Sequence, residues 1–148
     1  MASTTATRVR GKEREELAEI LRKRISGEVR FDPFSRVLYS TDASIYQMEP
    51  VGVVIPRNVD DVLAVMEVAK ENNIPLLPRA GGTSLAGQTV NHAIVIDFSK
   101  NLNQLLEVNT EEGWARVQPG IVLDQLNRQL TPHGMMYAPD PTTSSRAC

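Results

Sequence analysis

Apolar residues recur at two periods along this chain, and the alternation between them divides it into elements. From Lys12 to Ser26, Leu17, Ile20, Leu21 and Ile25 fall three or four residues apart among Lys, Arg and Glu, with Gly27 just beyond, which predicts an amphipathic helix. Glu28 to Gln47 mixes Pro33 with aromatic and aliphatic residues and the run Tyr39-Ser40-Thr41-Asp42-Ala43-Ser44, predicting a short helix followed by an ordered loop. Val51-Gly52-Val53-Val54-Ile55 is β-branched and stopped by Pro56, as a short buried strand is. The next helix has Asn58 as N-cap and Asp60 and Asp61 at the positive end of its dipole. Its expected inward face is Val59, Val62, Leu63, Met66 and Ala69, and Lys70 lies in its last turn.

Ile74-Pro75-Leu76-Leu77-Pro78 predicts a second strand, Arg79 to His92 a loop, and Ala93-Ile94-Val95-Ile96-Asp97 a third strand. Strand, helix, strand is the signature of a parallel crossover. Farther on, Leu105 to Val108 and Trp114 to Val117 flank Asn109-Thr110-Glu111-Glu112-Gly113, which predicts an antiparallel hairpin. Pro119-Gly120 ends its second strand, and Val122, Leu123, Leu126 and Leu130 supply a helical face closed by Pro132 and Gly134. The expected fold is α+β: a small parallel βαβ lobe of three strands, then the start of an antiparallel α+β lobe. The tail from Tyr137 to Cys148 is rich in Pro, Thr and Ser and has no stop signal, so the chain reads as the front part of something longer.

Composition narrows the class. With 148 residues, 41% hydrophobic and 23% charged, the chain can bury one core and has no apolar run of membrane-spanning length. Residues 1–30 hold eight Lys/Arg against five Glu, but the acids interleave with the bases as on a solvated helix face, so nucleic acid is not an expected partner. Met1 to Gly11 carries Arg8, Arg10 and hydroxyls without an acid and reads as a disordered terminus. The single cysteine, Cys148, excludes a disulfide framework and points to a reducing, cytoplasmic setting.

The segment Pro78-Arg79-Ala80-Gly81-Gly82-Thr83-Ser84-Leu85-Ala86-Gly87-Gln88 carries the candidate chemistry. It follows a short parallel strand, where open α/β units bind ligands. Its glycines let the backbone approach a ligand closely, successive N–H groups in a curved loop attract anions, and Thr83 and Ser84 offer hydroxyls. It has no lysine, so it is not a P-loop. Its glycines are adjacent and follow the second strand, so it is not the dinucleotide fingerprint either. A loop suited to a diphosphate remains, beside the plain alternative of a permissive Gly-Gly turn.

The wider pattern decides between them. Val53-Val54-Ile55-Pro56, the helix after Asn58, the glycine segment and Val95-Ile96-Asp97 together resemble the FAD-binding domain of the vanillyl-alcohol oxidase superfamily. Val117-Gln118-Pro119-Gly120 with Leu123 and Leu126, and then Pro139-Asp140-Pro141-Thr142-Thr143-Ser144-Ser145, resemble that family's strand-turn-helix and second flavin-contacting loop. The resemblance runs from about residue 36 to 148, leaving residues 1–35 as an N-terminal helix and extension. Within the superfamily the sequence is similar to the glycolate oxidase, D-lactate dehydrogenase and D-2-hydroxyglutarate dehydrogenase group. Phe31-Asp32-Pro33-Phe34-Ser35 and the Tyr39 to Tyr46 stretch further resemble its large members, which fuse a flavin domain to an iron–sulfur domain.

That resemblance implies FAD between the two lobes. Pro78, Arg79, Ala80, Gly81, Gly82, Thr83, Ser84, Leu85, Gly87 and Gln88 would hold its pyrophosphate, and Pro139, Asp140, Thr143 and Ser144 would approach the flavin or its ribityl chain. Some members attach the flavin through a histidine in this loop; Thr83 stands there, which implies non-covalent FAD. It also implies oxidation of a D-2-hydroxy acid by hydride transfer to the flavin N5, with electrons leaving for an iron–sulfur cluster or quinone, and peripheral contact with the inner membrane face. The base and the substrate clamp belong to a C-terminal part, so no catalytic or metal residue is expected in this chain. Two other readings are a non-catalytic FAD-binding module and a relative of the flavin-dependent enolpyruvyl-sugar reductases.

Outside these loops, His92 and His133 read as surface residues, Trp114 as core and Cys148 as unreactive. Asp97 reads as an acceptor for loop amides, a group near the flavin or a solvated strand end, and Arg79 as a phosphate contact or a structural ion pair.

Overall fold

The structure is a computed structural model that describes Val9 and residues 11–148. In chain order its first lobe comprises α1 (Gly11–Arg24), β1 (Glu28–Arg30), α2 (Pro33–Leu38), β2 (Gly52–Ile55), α3 (Val59–Glu71), β3 (Leu76–Arg79) and β4 (Ile94–Asp97). The sheet order is β1-β2-β4-β3, with β2, β4 and β3 parallel. The three expected parallel strands are therefore present, and β4 sits between β2 and β3. β1 adds a fourth strand antiparallel to β2, pairing Val29 with Val54. Three residues with charged ends carry too little pattern to read as a strand. Those charges blunt the exposed sheet edge, where Glu28 pairs with both Arg30 and Lys100.

The strand period of two sorts β2 and β4 between two clusters. Val54, Ile94 and Ile96 face α1 and α3, where Leu17, Ala18, Leu21, Val65, Val68 and Ala69 complete the main core. Val53, Ile55 and Val95 face the other way, against Tyr39 and Leu77. Val9 is buried in the main core and Gly11 opens α1, so the expected disordered terminus is corrected at those two positions. Residues 1–8 and 10 lie outside the described residues.

The inward face of α3 also differs from expectation. Asp61, Val65, Val68 and Ala69 are buried, whereas Val59, Leu63 and Met66 are at least half exposed. Apolar residues occur almost all round this helix, so their spacing does not fix the face. Asp61 fixes it: 4% exposed, it accepts from the backbone N–H of Ser26 at 2.8 Å and of Arg57 at 2.8 Å, and from the Ser26 hydroxyl at 3.1 Å. It ties the end of α1 to the start of α3, while Asn58 caps the helix through the Asp61 N–H at 2.9 Å, as its position predicted.

The second lobe comprises β5 (Leu105–Asn109), β6 (Trp114–Val117), α4 (Leu123–Leu130) and a 3-10 turn at Thr131–His133. The hairpin pairs Asn109 with Trp114, and Ile121, Leu126 and Leu130 pack on Leu105, Val108, Ala115 and Met135. Trp114, expected in the core, is half-buried: its indole N–H donates to Glu112 at 2.6 Å and Arg116 lies over its ring. That N–H needs an acceptor, and the hairpin turn supplies one outside the apolar cluster. The lobes join through the turn after β4, where Gly120 N–H donates to Leu102 O at 2.8 Å and Asn101 donates to Pro56 O at 2.9 Å. No helix of the described residues is long and apolar enough to cross a membrane.

Burial alone would raise the Asp61 carboxyl, but the N–H donors of Arg57 and Ser26 outweigh it and hold it below the ordinary aspartate value. A carboxyl so held binds fewer protons folded than unfolded. Its stabilisation is therefore complete above about pH 4 and is lost as pH falls through the lower folded value. Asp61→Ala should cost about 2–4 kcal/mol at pH 7 by urea unfolding, because it strands buried N–H groups. The gap to the unsubstituted chain should narrow as pH falls below about 4. A gap that widens in acid would overturn this assignment.

Candidate functional site

Pro78 and Arg79 are the last residues of β3, in register with Ile96 and Asp97, so the glycine segment leaves the sheet at the carboxyl edge of its parallel strands. Gly82 is left-handed at φ 62°. Among the described residues, the N–H groups of Gly82, Thr83, Ser84 and Leu85 find no protein acceptor. A run of free amides containing a left-handed residue is the backbone feature of anion-binding nests. Thr83 keeps its hydroxyl without a partner among the described residues. Ser84, expected as a second hydroxyl donor, spends its hydroxyl inside the loop. It accepts from Ala86 N–H at 3.3 Å and Gln88 N–H at 3.1 Å, and donates to the Gln88 side chain.

The ion pair that was one expectation for Arg79 is not formed among the described residues. Arg79 Nη1 donates to three backbone carbonyls, Thr41 at 2.9 Å, Thr89 at 3.2 Å and Tyr39 at 3.4 Å, and its guanidinium lies 5.2 Å from the centre of the Tyr39 ring. Asp97 is buried, accepting from the Tyr39 hydroxyl at 2.5 Å and from Ser99 through its N–H at 2.8 Å and its hydroxyl at 2.7 Å. It is thus an acceptor for a loop amide and not a solvated strand end. Burial first, and the bond to Asp97 second, push the Tyr39 phenol far above its ordinary range, so it remains a donor.

The sequence reading gave no role to three residues beside this loop: Tyr39, Asp42 and Thr89. Asp42 Oδ1 accepts from Ser44 N–H at 2.8 Å, and its Oδ2 accepts from the Thr89 hydroxyl at 2.9 Å. Ala43 N–H donates to Gly82 O at 3.1 Å. The signal available was the Asp-Ala-Ser triplet, which favours a side-chain-closed turn.

The second expected loop meets the first. A Cβ on Gly81 would lie 2.1 Å from the Arg146 carbonyl oxygen, so only glycine allows this approach. The tail turns through Thr143 O, which accepts from Arg146 N–H at 2.9 Å and Ala147 N–H at 2.8 Å. It then offers Ala147 O to Leu123 N–H at 2.9 Å and Ser144 O to Asp124 N–H at 3.2 Å. α4 has no side-chain N-cap; these tail carbonyls take its first N–H groups instead. Arg146 therefore stands against Gly81, Thr143 and Ser144 lie in the turn that carries it, and Pro139 and Asp140 lie on exposed chain along a cavity of about 820 Å³. That cavity is walled by Ala115, Ile121, Leu126, Leu130 and Met135, which also form the second-lobe cluster, so it is the open side of a core.

His92 bonds Glu49 O through Nδ1 at 3.0 Å, and Cys148 is exposed. Among the described residues no group of three His, Cys, Asp or Glu could hold a metal. Four free amides, a free hydroxyl and an arginine without an acid partner fit a dianionic diphosphate, and so fit the pyrophosphate of FAD. If Gly81 couples the two loops, Gly81→Ala should lift the tail. Amide exchange at Leu123 and Asp124 should then rise with little change in the sheet; unchanged exchange there would show the loops to be independent.

A family model described as an FAD binding domain matches residues 50–148. D-2-hydroxyglutarate dehydrogenase of Escherichia coli is 40% identical over 134 residues, covering 88% of this chain and 13% of that protein. Glycolate oxidase subunit GlcD of Bacillus subtilis is 36% identical over 124 residues, covering 80% of this chain and 26% of that protein. A solved alkyldihydroxyacetonephosphate synthase shares the fold, with a TM-score of 0.79 at 20% identity over 99% of this chain and 30% of that one. The chain thus spans a small share of each relative's length. It belongs to the FAD-binding domain family of the vanillyl-alcohol oxidase type, within the group of the glycolate oxidase and D-2-hydroxyglutarate dehydrogenase proteins, and FAD is its cofactor.

Proposed function

We propose that this chain is the diphosphate grip of an FAD-linked dehydrogenase acting on a D-2-hydroxy acid of the 2-hydroxyglutarate type. The observation that carries the reading is the run of unpaired amides from Gly82 to Leu85 at the carboxyl edge of the parallel strands. The substrate class rests on the 40% and 44% identity to D-2-hydroxyglutarate dehydrogenases, above the 36% to the glycolate oxidase subunit.

In this reading the amides of Gly82, Thr83, Ser84 and Leu85 and the Thr83 hydroxyl bind the pyrophosphate oxygens. The backbone of Pro78, Arg79, Ala80 and Gly81 brings them to the sheet edge. Gln88 closes the loop through Ser84 with Gly87 left-handed beside it, and Thr143 and Ser144, with Pro139 and Asp140 farther along, form the side toward the flavin. FAD, when bound, supplies a two-electron acceptor at N5 for the hydrogen on the hydroxyl-bearing carbon of the substrate. The part played by these residues is binding and orientation: rigid N–H dipoles meet the phosphate charge without reorganising. Thr83 has no nucleophilic nitrogen, so the cofactor is held without a covalent bond. Reducing equivalents pass to an acceptor outside this chain.

Two measurements test this. The chain titrated with FAD should quench flavin fluorescence saturably and release all flavin on denaturation. Gly82→Ala should weaken binding about tenfold, since a left-handed non-glycine residue costs roughly 1–2 kcal/mol. Second, this chain substituted for the matching 134 residues of the Escherichia coli relative should yield a yellow protein that oxidises D-2-hydroxyglutarate in preference to D-lactate or glycolate. A folded but colourless hybrid would overturn the reading; a yellow one that prefers glycolate would overturn the substrate class.

A further inference from the structure

We infer that Arg79 and Asp42 are positioning residues for the diphosphate, and that the loop from Tyr39 to Tyr46 is part of the cofactor site. This rests on the reading above and extends it, because that loop lies ahead of residues 50–148, the stretch matched by the family model.

The argument begins with an accounting of hydrogen bonds. A loop that keeps Gly82, Thr83, Ser84 and Leu85 N–H free for a ligand cannot use those groups to hold itself. The Ser84 side chain closes its far turn, and the other bonds that hold it reach the neighbouring loop. Ala43 N–H takes Gly82 O at 3.1 Å, and Asp42 Oδ2 takes the Thr89 hydroxyl at 2.9 Å and the Thr89 N–H at 3.4 Å. Gly87 lies against the Tyr46 ring, where a Cβ would come within 2.6 Å of Cδ2. Arg79 closes the arrangement, because its Nη1 holds Tyr39 O and Thr41 O on one side and Thr89 O on the other. The two loops are therefore joined near both ends of the free amides.

Arg79 adds a second effect. Its hydrogens at Nη1 go to carbonyls, which leave its charge intact, and none of the described carboxylates pairs with it. That charge lies against Gly82, where the free amides begin: a Cβ on Gly82 would be 2.6 Å from Arg79 Nη2. A fixed cation behind a row of N–H dipoles attracts a dianion without touching it, and such attraction is weakened by salt.

The test uses the chain, FAD as ligand, and the substitutions Arg79→Gln, Arg79→Lys, Asp42→Asn and Asp42→Ala. Arg79→Gln should weaken FAD about tenfold, because it removes the cation that attracts the dianion and loosens the brace between the loops. It should also flatten the dependence of affinity on salt; Arg79→Lys, which keeps the charge, should preserve that dependence. Both Asp42 variants should speed FAD release and raise amide exchange at residues 41–47 and 80–89, while α1 and α3 exchange as before. If the unsubstituted chain binds FAD and the variants bind it equally well with the same salt dependence, the inference is wrong. So it is if affinity falls only in step with melting temperature, which is the mark of a merely structural role. If the unsubstituted chain does not bind FAD, but Arg79→Gln and Asp42→Asn still loosen residues 80–89, the diphosphate reading fails while the bracing between the loops stands.

Discussion

A backbone loop that binds an anion through its own amides cannot spend those amides on its own shape. Every N–H that closes a turn is withdrawn from the ligand, and every N–H left open is a missing internal restraint. The segment after β3 meets this constraint by drawing its restraints from other atoms. Carbonyls are held by Arg79 and Ala43, one end is tied by Asp42 through Thr89, and Ser84 closes the far turn with its side chain. The sheet beneath supplies the starting point, since β4 fixes the level at which β3 ends.

The same constraint explains why the two lobes meet where they do. Gly81 admits the Arg146 carbonyl, and the tail that carries it hands further carbonyls to the start of α4. Backbone acceptors do there what a Ser or Asp cap does elsewhere, because Val122 has no polar atom to offer. Tail and helix are joined by hydrogen bonds, and the glycine loop meets the tail by close packing at Gly81.

Much of this was legible in the sequence, for physical reasons that also mark where it was not. β2 and β4 are short β-branched runs with clear stops, and the Asn58 cap is a local feature, so both could be read directly. The glycine segment was legible as a loop leaving the carboxyl edge of the parallel strands, because its glycines and its place after β3 are local features. The inward face of α3 was not, because its orientation depends on Asp61 meeting Ser26, a partner thirty-five residues away. β1 was missed because three residues hold no period, and Trp114 was misplaced because its N–H partner lies in a turn. Asp42 and Arg79 were seen as residues, but their roles reside in contacts between segments 38 to 47 positions apart, which no local pattern records.

Arg79 also shows why a lysine-free loop suits this task. A lysine ammonium reaching into the site would bind the diphosphate as a mobile point charge and would have to be ordered with each binding event. The guanidinium here is ordered beforehand by three carbonyls and a tyrosine ring, and its charge has no acid partner among the described residues. Tyr39 in turn is fixed by Asp97, whose remaining acceptor capacity goes to Ser99. The acid therefore stabilises the ring without cancelling the cation through a direct ion pair. In the proposed role, a favourable field at the amides is thus built from groups already immobilised by folding, so little ordering entropy would remain to oppose the arrival of a diphosphate.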